Sequence, residues 1–409
     1  MKVFLSAYAC EPGKGSEPGV GWRWTLGLAE RVELQVLTRE SNREVIEAAV
    51  AAAPEGDPLR CVTFHYFDLP SLWLIAKKRG LLPTIAYYAV WQWAVAKRFG
   101  DLADTADFVH HLTFCTVLCP GFWKLKHAGF VLGPVGAPQV NAHYLPLFGA
   151  EAWKQRLRAG IIHRFLGFPW LRRLLRGAAI LVPANSETRD LLVAHGLRVR
   201  EVMLDTGAPD DGPRVTSQGQ PGAIRLLYAG QLERRKGLEL ALMALAQVGD
   251  DVNWSLDLIG SGPDRSRLEQ IVRDSGWDAR VRFCGKIPRD EVMRRMAESD
   301  AFLFPSVRDT SGGVNLEAMA SGLPVICIAH QGVGDITDES CAERIPPGPI
   351  DETARHLAEA ISRFAHDPER RRLMGEAARE RARKSFAWEM KFSQMYKYYL
   401  EMTDRRARE

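Results

Sequence analysis

The sequence predicts an α/β protein of two doubly wound domains in tandem, and three observations support this. At 409 residues the chain exceeds one ordinary hydrophobic core. Short apolar runs alternate with amphipathic segments almost throughout, as in parallel strands joined by crossover helices. The alternation pauses once, at the Gly- and Pro-rich stretch 205–222 (DTGAPDDGPRVTSQGQPG), and then restarts.

In the first half, residues 3–7, 34–38, 62–67, 108–112, 130–133 and 180–184 read as buried strands, with helical patterns such as 42–53 and 187–195 between them. After the pause, 224–229, 255–259, 281–284, 301–305 and 324–329 read as strands, and a helical tail runs from 351 to 402. The expected layout is a first domain at 1–205, a linker at 206–222, a second domain at 223–385 and a last helix at 386–409. Ligands of such sheets sit beyond the carboxyl ends of the strands, so two facing domains place the site in the cleft between them.

Composition narrows the function classes. A net charge of +4 is too small for a nucleic-acid partner at this size. Seven cysteines without CxxC pairing read as reduced thiols. No apolar run approaches the ~20 residues a bilayer span needs, so a cytoplasmic chain is expected.

The richest chemistry lies in the second half. Gly230-Gln231-Leu232-Glu233-Arg234-Arg235-Lys236-Gly237 follows a strand and opens a helix, a basic turn suited to an anion. Gly260-Ser261-Gly262-Pro263 follows the next strand and leaves the backbone open to a ligand. Asp309-Thr310-Ser311-Gly312-Gly313-Val314 then forms a small-residue loop, with a helix expected from about Gly313. Its free amides suit a phosphate. Asp309 before the loop and Glu317 one turn into the helix can face the same cleft.

These segments resemble the donor-binding domain of glycosyltransferase family 4, retaining enzymes of the GT-B fold. Two acids separated by seven residues and followed by EAMA-x-G-x-P-V are that family's hallmark, here Asp309 and Glu317-Ala-Met-Ala-Ser-Gly-Leu-Pro-Val. The GRL-xxx-KG segment stands as Gly230 to Gly237, and Phe283-Cys284-Gly285-Lys286-Ile287 resembles the loop that takes the base. The resemblance implies two Rossmann-like domains facing across a cleft, with the C-terminal helices crossing back to the first. It implies a nucleotide diphosphate sugar held by Gln231, Arg235, Lys236, Gly262, Lys286, Ile287, Ser311, Gly312, Gly313, Val314 and Glu317, with Lys236 and Asp309 catalytic. Two positions depart from the pattern. Gln231 replaces an arginine, with Arg234 or Arg235 as substitutes, and Asp309 replaces the commoner glutamate.

In the first half, Asp107-Phe108-Val109-His110-His111-Leu112-Thr113 resembles the segment that sets a histidine against the donor sugar. Adjacent histidines point to opposite faces of a strand. Parity with the family pattern favours His110 as the catalytic one, a bulge would bring in His111, and the remaining alternative is a buried structural histidine. Gly133-Pro134-Val135-Gly136 resembles another cleft loop, but Ala137-Pro138-Gln139 follows in place of a glycine and an acid. The loop ACEPGKGSEPGVGWRW (9–24) fits neither G-xxxx-GK[ST] nor G-x-G-x-x-G. It does resemble the GSEPG-x-GW loop of a branch of the family. There Gly19 and Gly21 would admit the donor backbone-close, and Ser16 and Glu17 would meet acceptor hydroxyls.

Residues 71–176 hold 14 Lys/Arg against 4 Asp/Glu and six of the eleven tryptophans. In Trp73 to Arg79 and in Trp153 to Arg173 this composition has two readings: an anionic membrane surface, which would make the protein peripheral on the inner face, or an ordinary basic helical surface packed on its own domain. The expected reaction is retaining transfer, of hexosyltransferase type, to a hydroxyl acceptor that a lipid carrier could present, in glycolipid, cell-envelope or exopolysaccharide synthesis. No Asp-x-Asp occurs, so no metal or other cofactor is expected. The alternatives are a nonhydrolysing sugar-nucleotide epimerase and a membrane-associated sugar-nucleotide-binding protein with little catalysis.

Overall fold

A computed structural model describes residues 1–78, 84–137, 139–210, 212–216 and 219–408. Arg79 of the basic stretch, Pro138 after the cleft loop, and Asp211, Ser217 and Gln218 of the linker lie outside the described residues.

Six short apolar runs form the first sheet: β1 (Lys2–Ser6), β2 (Glu33–Thr38), β3 (Thr63–Tyr66), β4 (Phe108–His111), β5 (Gly129–Val135) and β6 (Ile180–Pro183). The second holds β7 (Ala223–Ala229), β8 (Asn253–Ile259), β9 (Val281–Gly285), β10 (Ala301–Phe304), β11 (Val325–Ile328) and β12 (Ala342–Ile345). Their orders are β3-β2-β1-β4-β5-β6 and β12-β11-β10-β7-β8-β9, with parallel pairing in both. Read from its far edge, the second order repeats the first. Eleven strands coincide with the expected runs. The twelfth, Ala-Glu-Arg-Ile, has no apolar run because it is an edge strand, and Glu343 on it binds Arg363 and Arg370.

Six helices carry the site and its surroundings. They are α1 (Ser16–Ala29), α2 (Ala152–Leu166), α3 (Pro169–Arg176), α4 (Val314–Ala320), α5 (Pro368–Phe386) and α6 (Trp388–Arg408). α1 buries Val20, Trp24 and Leu28 against β1. Helix α5 packs Met374, Ala378 and Ala382 on the second half. At Ala387, which bridges to Ala208, the chain crosses over. α6 then puts Trp388, Phe392, Met395, Tyr398 and Tyr399 into the first sheet's core beside Val3, Leu5 and Phe108.

An opposite exchange was not legible in the sequence. The 3₁₀ stretch Ala142–Glu151 lies before β6, yet Tyr144, Leu147 and Phe148 join the second sheet's core. The Gly348 N–H donates to the Tyr144 hydroxyl at 3.3 Å. Each half thus inserts side chains into the other's core. Burying large rings this way ties the halves more firmly than a linker can.

Candidate functional site

On the second sheet, the loops after β7 and β10 bring the expected donor residues together. Lys236 is buried, forms an ion pair with Asp309 and lies 5.4 Å from the centroid of the Phe304 ring. The Asp309 Oδ1 accepts the Gly312 N–H at 3.3 Å, and the Asp309 N–H donates to Gln331 Oε1 at 2.7 Å. Gln231, exposed, accepts from Arg235 Nη2 at 3.2 Å, and the Arg235 guanidinium comes within 4.0 Å of Asp309. Arg234 instead donates to the Leu147 carbonyl at 3.1 Å. Of the two candidate substitutes for the missing arginine, Arg235 is therefore the one beside the acid.

The loop 311–313 leads into α4, with Gly312 in the left-handed region (φ 61°) and its carbonyl accepting from Asn315 Nδ2 at 2.8 Å. Glu317 is held 3.0 Å from Arg289, a residue the sequence reading passed over. Burial pushes the Glu317 carboxyl up and Arg289 pulls it back. Lys286 is exposed and Ile287 half-buried at the end of β9, while Gly262 packs under the Leu232 carbonyl.

Across the cleft, the glycines of the opening loop have neighbours other than those expected. Gly19 and Gly21 lie inside α1, where a Cβ would come within 2.2 Å of the Lys14 carbonyl oxygen and 2.0 Å of that of Ala9. A side chain there is excluded by the loop folding back on its own helix. Glu17, on the first turn of α1, accepts the Phe114 N–H at 2.6 Å. Its carboxyl is pushed up to about 7, first by burial and then by the Asp205 carboxylate. Ser16 beside it is exposed.

Both histidines are buried, and they differ. His110 Nε2 lies 2.6 Å from the Gly133 carbonyl, which only accepts, so Nε2 carries the proton and Nδ1 accepts from the Tyr399 hydroxyl at 2.6 Å. Trp24 covers its ring edge-on at 6.2 Å. Both nitrogens of His110 are thus engaged inside the protein. The Tyr88 hydroxyl gives its proton to the Thr113 carbonyl at 2.8 Å, so it accepts from His111 Nε2 at 2.9 Å. Among the described residues, His111 Nδ1 has no hydrogen-bond partner. Burial depresses His110 to about 4 and His111 to about 3, so both are neutral at pH 7.

Two groups absent from the sequence reading join the halves. Asp205 accepts Trp24 Nε1–H on its carbonyl at 2.8 Å, and the next residue, Thr206, packs on Gly313. Its carboxyl is raised by burial, while Ser311 and Lys391 act the other way. Lys391 of α6, only 6% exposed, is depressed to about 8 by burial, and Asp205 opposes the shift. Neither matches a motif, and only the crossover of α6 brings Lys391 there. Further contacts close the cleft: Asn185 Nδ2 to the Thr310 carbonyl at 2.8 Å, and the Gln331 N–H to Glu187 Oε1 at 2.9 Å. Among the described residues, no cluster of three or more His, Cys, Asp or Glu could hold a metal ion.

Away from the cleft, four of the six tryptophans of the basic stretch are exposed, with Trp93 at 55%, Trp153 at 60% and Trp170 at 49%. Trp91 and Trp123 are buried in the core beside Phe4 and Tyr8. Leu157, Phe165 and Phe168 add apolar surface on and between α2 and α3, where Arg173 and Arg176 are also exposed. Among the described residues, no helix is long and apolar enough to cross a membrane.

Comparison with known proteins places this geometry. Residues 217–381 match the family model described as "Glycosyl transferases group 1". The chain is 30% identical over 230 residues to the sulfoquinovosyl transferase SQD2 of Arabidopsis thaliana, a stretch that is 52% of this chain and 43% of that protein. The match thus spans less than half the length of that curated relative. Over nearly its whole length the chain superposes on a sucrose-phosphate synthase from Thermosynechococcus elongatus, with TM-score 0.67, 19% identity and 99% of both chains covered. It likewise superposes on Anabaena HepE solved in complex with UDP-glucose, with TM-score 0.58, 15% identity, and 98% and 99% covered. Two parallel six-stranded sheets facing across a cleft, with this likeness, are the GT-B fold.

Proposed function

We propose that this chain is a retaining glycosyltransferase of family 4, moving a sugar from a nucleotide diphosphate sugar to a hydroxyl acceptor without a metal. The observation that carries this reading is the convergence of Lys236, Asp309, Arg235 and the 311–313 loop at the strand ends of the second sheet, opposite Glu17. In the free protein Lys236 and Asp309 neutralise one another. An incoming diphosphate competes for the Lys236 ammonium and frees the Asp309 carboxylate for a sugar hydroxyl. Arg235, Lys236 and the loop amides then stabilise the charge that develops on the leaving diphosphate, which takes the acceptor's proton. Glu317 holds ribose hydroxyls, with Arg289 opposing the rise that burial imposes on its carboxyl.

A thermal-shift panel of UDP-, GDP- and ADP-sugars tests donor binding, because a ligand of the folded state raises its melting temperature by mass action. One nucleotide class is expected to stabilise the protein, and Glu317→Ala to lose most of that shift. Product analysis with an acceptor mixture should show transfer. Epimerised nucleotide sugar without transfer, or binding without turnover, would overturn the reading.

The exposed tryptophans and arginines of α2 and α3 favour a peripheral membrane location, with the acceptor presented at the inner face. Trp153→Ala with Trp170→Ala is expected to reduce co-sedimentation with phosphatidylglycerol vesicles while leaving the nucleotide thermal shift intact. Unchanged co-sedimentation would remove the membrane from this proposal.

A further inference from the structure

Among the described residues, three non-glycines adopt left-handed backbone: Ser16 (φ 58°), Phe114 (φ 54°) and Gln331 (φ 50°). That region disfavours residues with a Cβ, and they persist there where their surroundings over-determine them, which is common at functional sites. All three border one cleft. Ser16 precedes Glu17, Glu17 accepts the Phe114 N–H, and Gln331 accepts the Asp309 N–H.

Phe114 is the unusual member. Polar side chains tolerate this conformation best, and a bulky ring gains nothing from it unless the ring must be placed. The ring of Phe114 is placed. Tyr8 meets it edge-on at 5.3 Å and Tyr88 at a tilt at 5.6 Å. Those rings are themselves fixed, Tyr8 by Trp91 at 4.9 Å and Tyr88 by its bonds to His111 and Thr113. Tyr8 and Tyr88 are buried, yet Phe114 is 38% exposed. The ring is thus held on its inner side and open to solvent on the other edge of the contact.

We propose that Phe114 and Glu17 form an acceptor subsite built for a sugar ring, with a C–H face of a pyranose on the exposed phenyl ring and a ring hydroxyl on Glu17. This rests on the glycosyl-transfer reading and names the acceptor class. A pyranose presents weakly positive C–H bonds on one face and hydroxyls around its edge. The negative face of an aromatic ring beside a carboxyl matches both features. A simple alkyl alcohol offers one hydroxyl and no such face. Glu17 uses one oxygen on Phe114, which leaves the other for the acceptor, and its raised affinity for a proton lets it donate or accept at neutral pH.

Saturation-transfer NMR on the full chain tests this, using methyl α- and β-glucopyranosides and galactopyranosides, with 1-hexanol as the alkyl control, each with and without UDP, GDP or ADP. At least one glycoside is expected to receive saturation on its ring protons, and 1-hexanol none. Phe114→Ala should weaken that glycoside about tenfold, and Phe114→Trp should retain it. Phe114→Gly removes the ring together with the left-handed strain, so it should still lose the glycoside, and its melting temperature checks that the variant is folded. Absence of glycoside binding, equal binding to the Ala variant, or equal binding of 1-hexanol would overturn the proposal. The nucleotide thermal shift of the same samples separates the two readings. If glycoside binding depends on Phe114 and no nucleotide stabilises the protein, the transfer reading fails and the sugar subsite stands.

Discussion

The two halves share a sheet order, strand for strand, and organise their sides of the cleft by opposite means. The second half uses charge: Lys236 against Asp309, Arg289 against Glu317, Arg235 close by. The first half uses buried, uncharged His110 and His111 and a half-buried carboxyl, Glu17, pushed up to about 7. Paired charges that a ligand can re-pair suit a diphosphate. Neutral donors and acceptors suit a hydroxyl, which carries no charge to repay the desolvation of an ion. One topology thus serves two ligand chemistries, and side chains at the strand ends decide which.

The contrast breaks most sharply at Lys236. Lys236→Ala is expected to lower kcat/KM about 10²–10³-fold, the usual effect of removing one preorganised donor from developing charge. Steady-state kinetics on the identified donor check this, and an unchanged kcat/KM would take Lys236 out of the reaction.

Next in size is the coupling between halves. A Cβ on Gly27 would lie 2.2 Å from the Phe392 ring, so Gly27→Ala must push α1 away from α6. Overpacking of this kind costs about 1–3 kcal/mol. Urea unfolding should show that loss, and a neutral result would mean α6 sits loosely on the first half.

The smallest effect sharpens the neutral side. Glu17 binds its proton more tightly folded than unfolded, so its contribution to stability is greatest below the ordinary carboxylate range. That contribution is lost as pH rises towards about 7. Glu17→Gln should flatten the melting-temperature profile between about pH 4.5 and 7 and leave nucleotide binding intact. A profile unchanged by the substitution would place the titrating group elsewhere.

Much of this architecture was legible in the residues. Apolar runs of four to six residues separated by amphipathic helical segments read as buried parallel strands, and eleven of the twelve strands follow from them. The acid spacing at Asp309 and Glu317, with small residues between, marks the second sheet's loop because that chemistry is local in sequence. β12 escaped because an edge strand needs no apolar run. The neighbours of Gly19 and Gly21 escaped because a glycine shows only that a side chain is absent. Which group would have filled the space, here the chain's own carbonyls, depends on how the loop folds back.

Composition and periodicity by themselves determined the two-sheet frame, its order of elements and the anion-suited loops of the second half. Tertiary structure alone decided that α6 delivers Tyr399 to His110 and Lys391 to Asp205, across 289 residues in the first case. Among the described residues, it also chose His111 over His110 as the histidine with an unpartnered nitrogen, and Arg235 over Arg234 as the arginine beside Asp309. The physical reason is the same in each case. Residue type sets what a side chain can donate, accept or pair with, and only the packed neighbours decide which of those capacities is already spent.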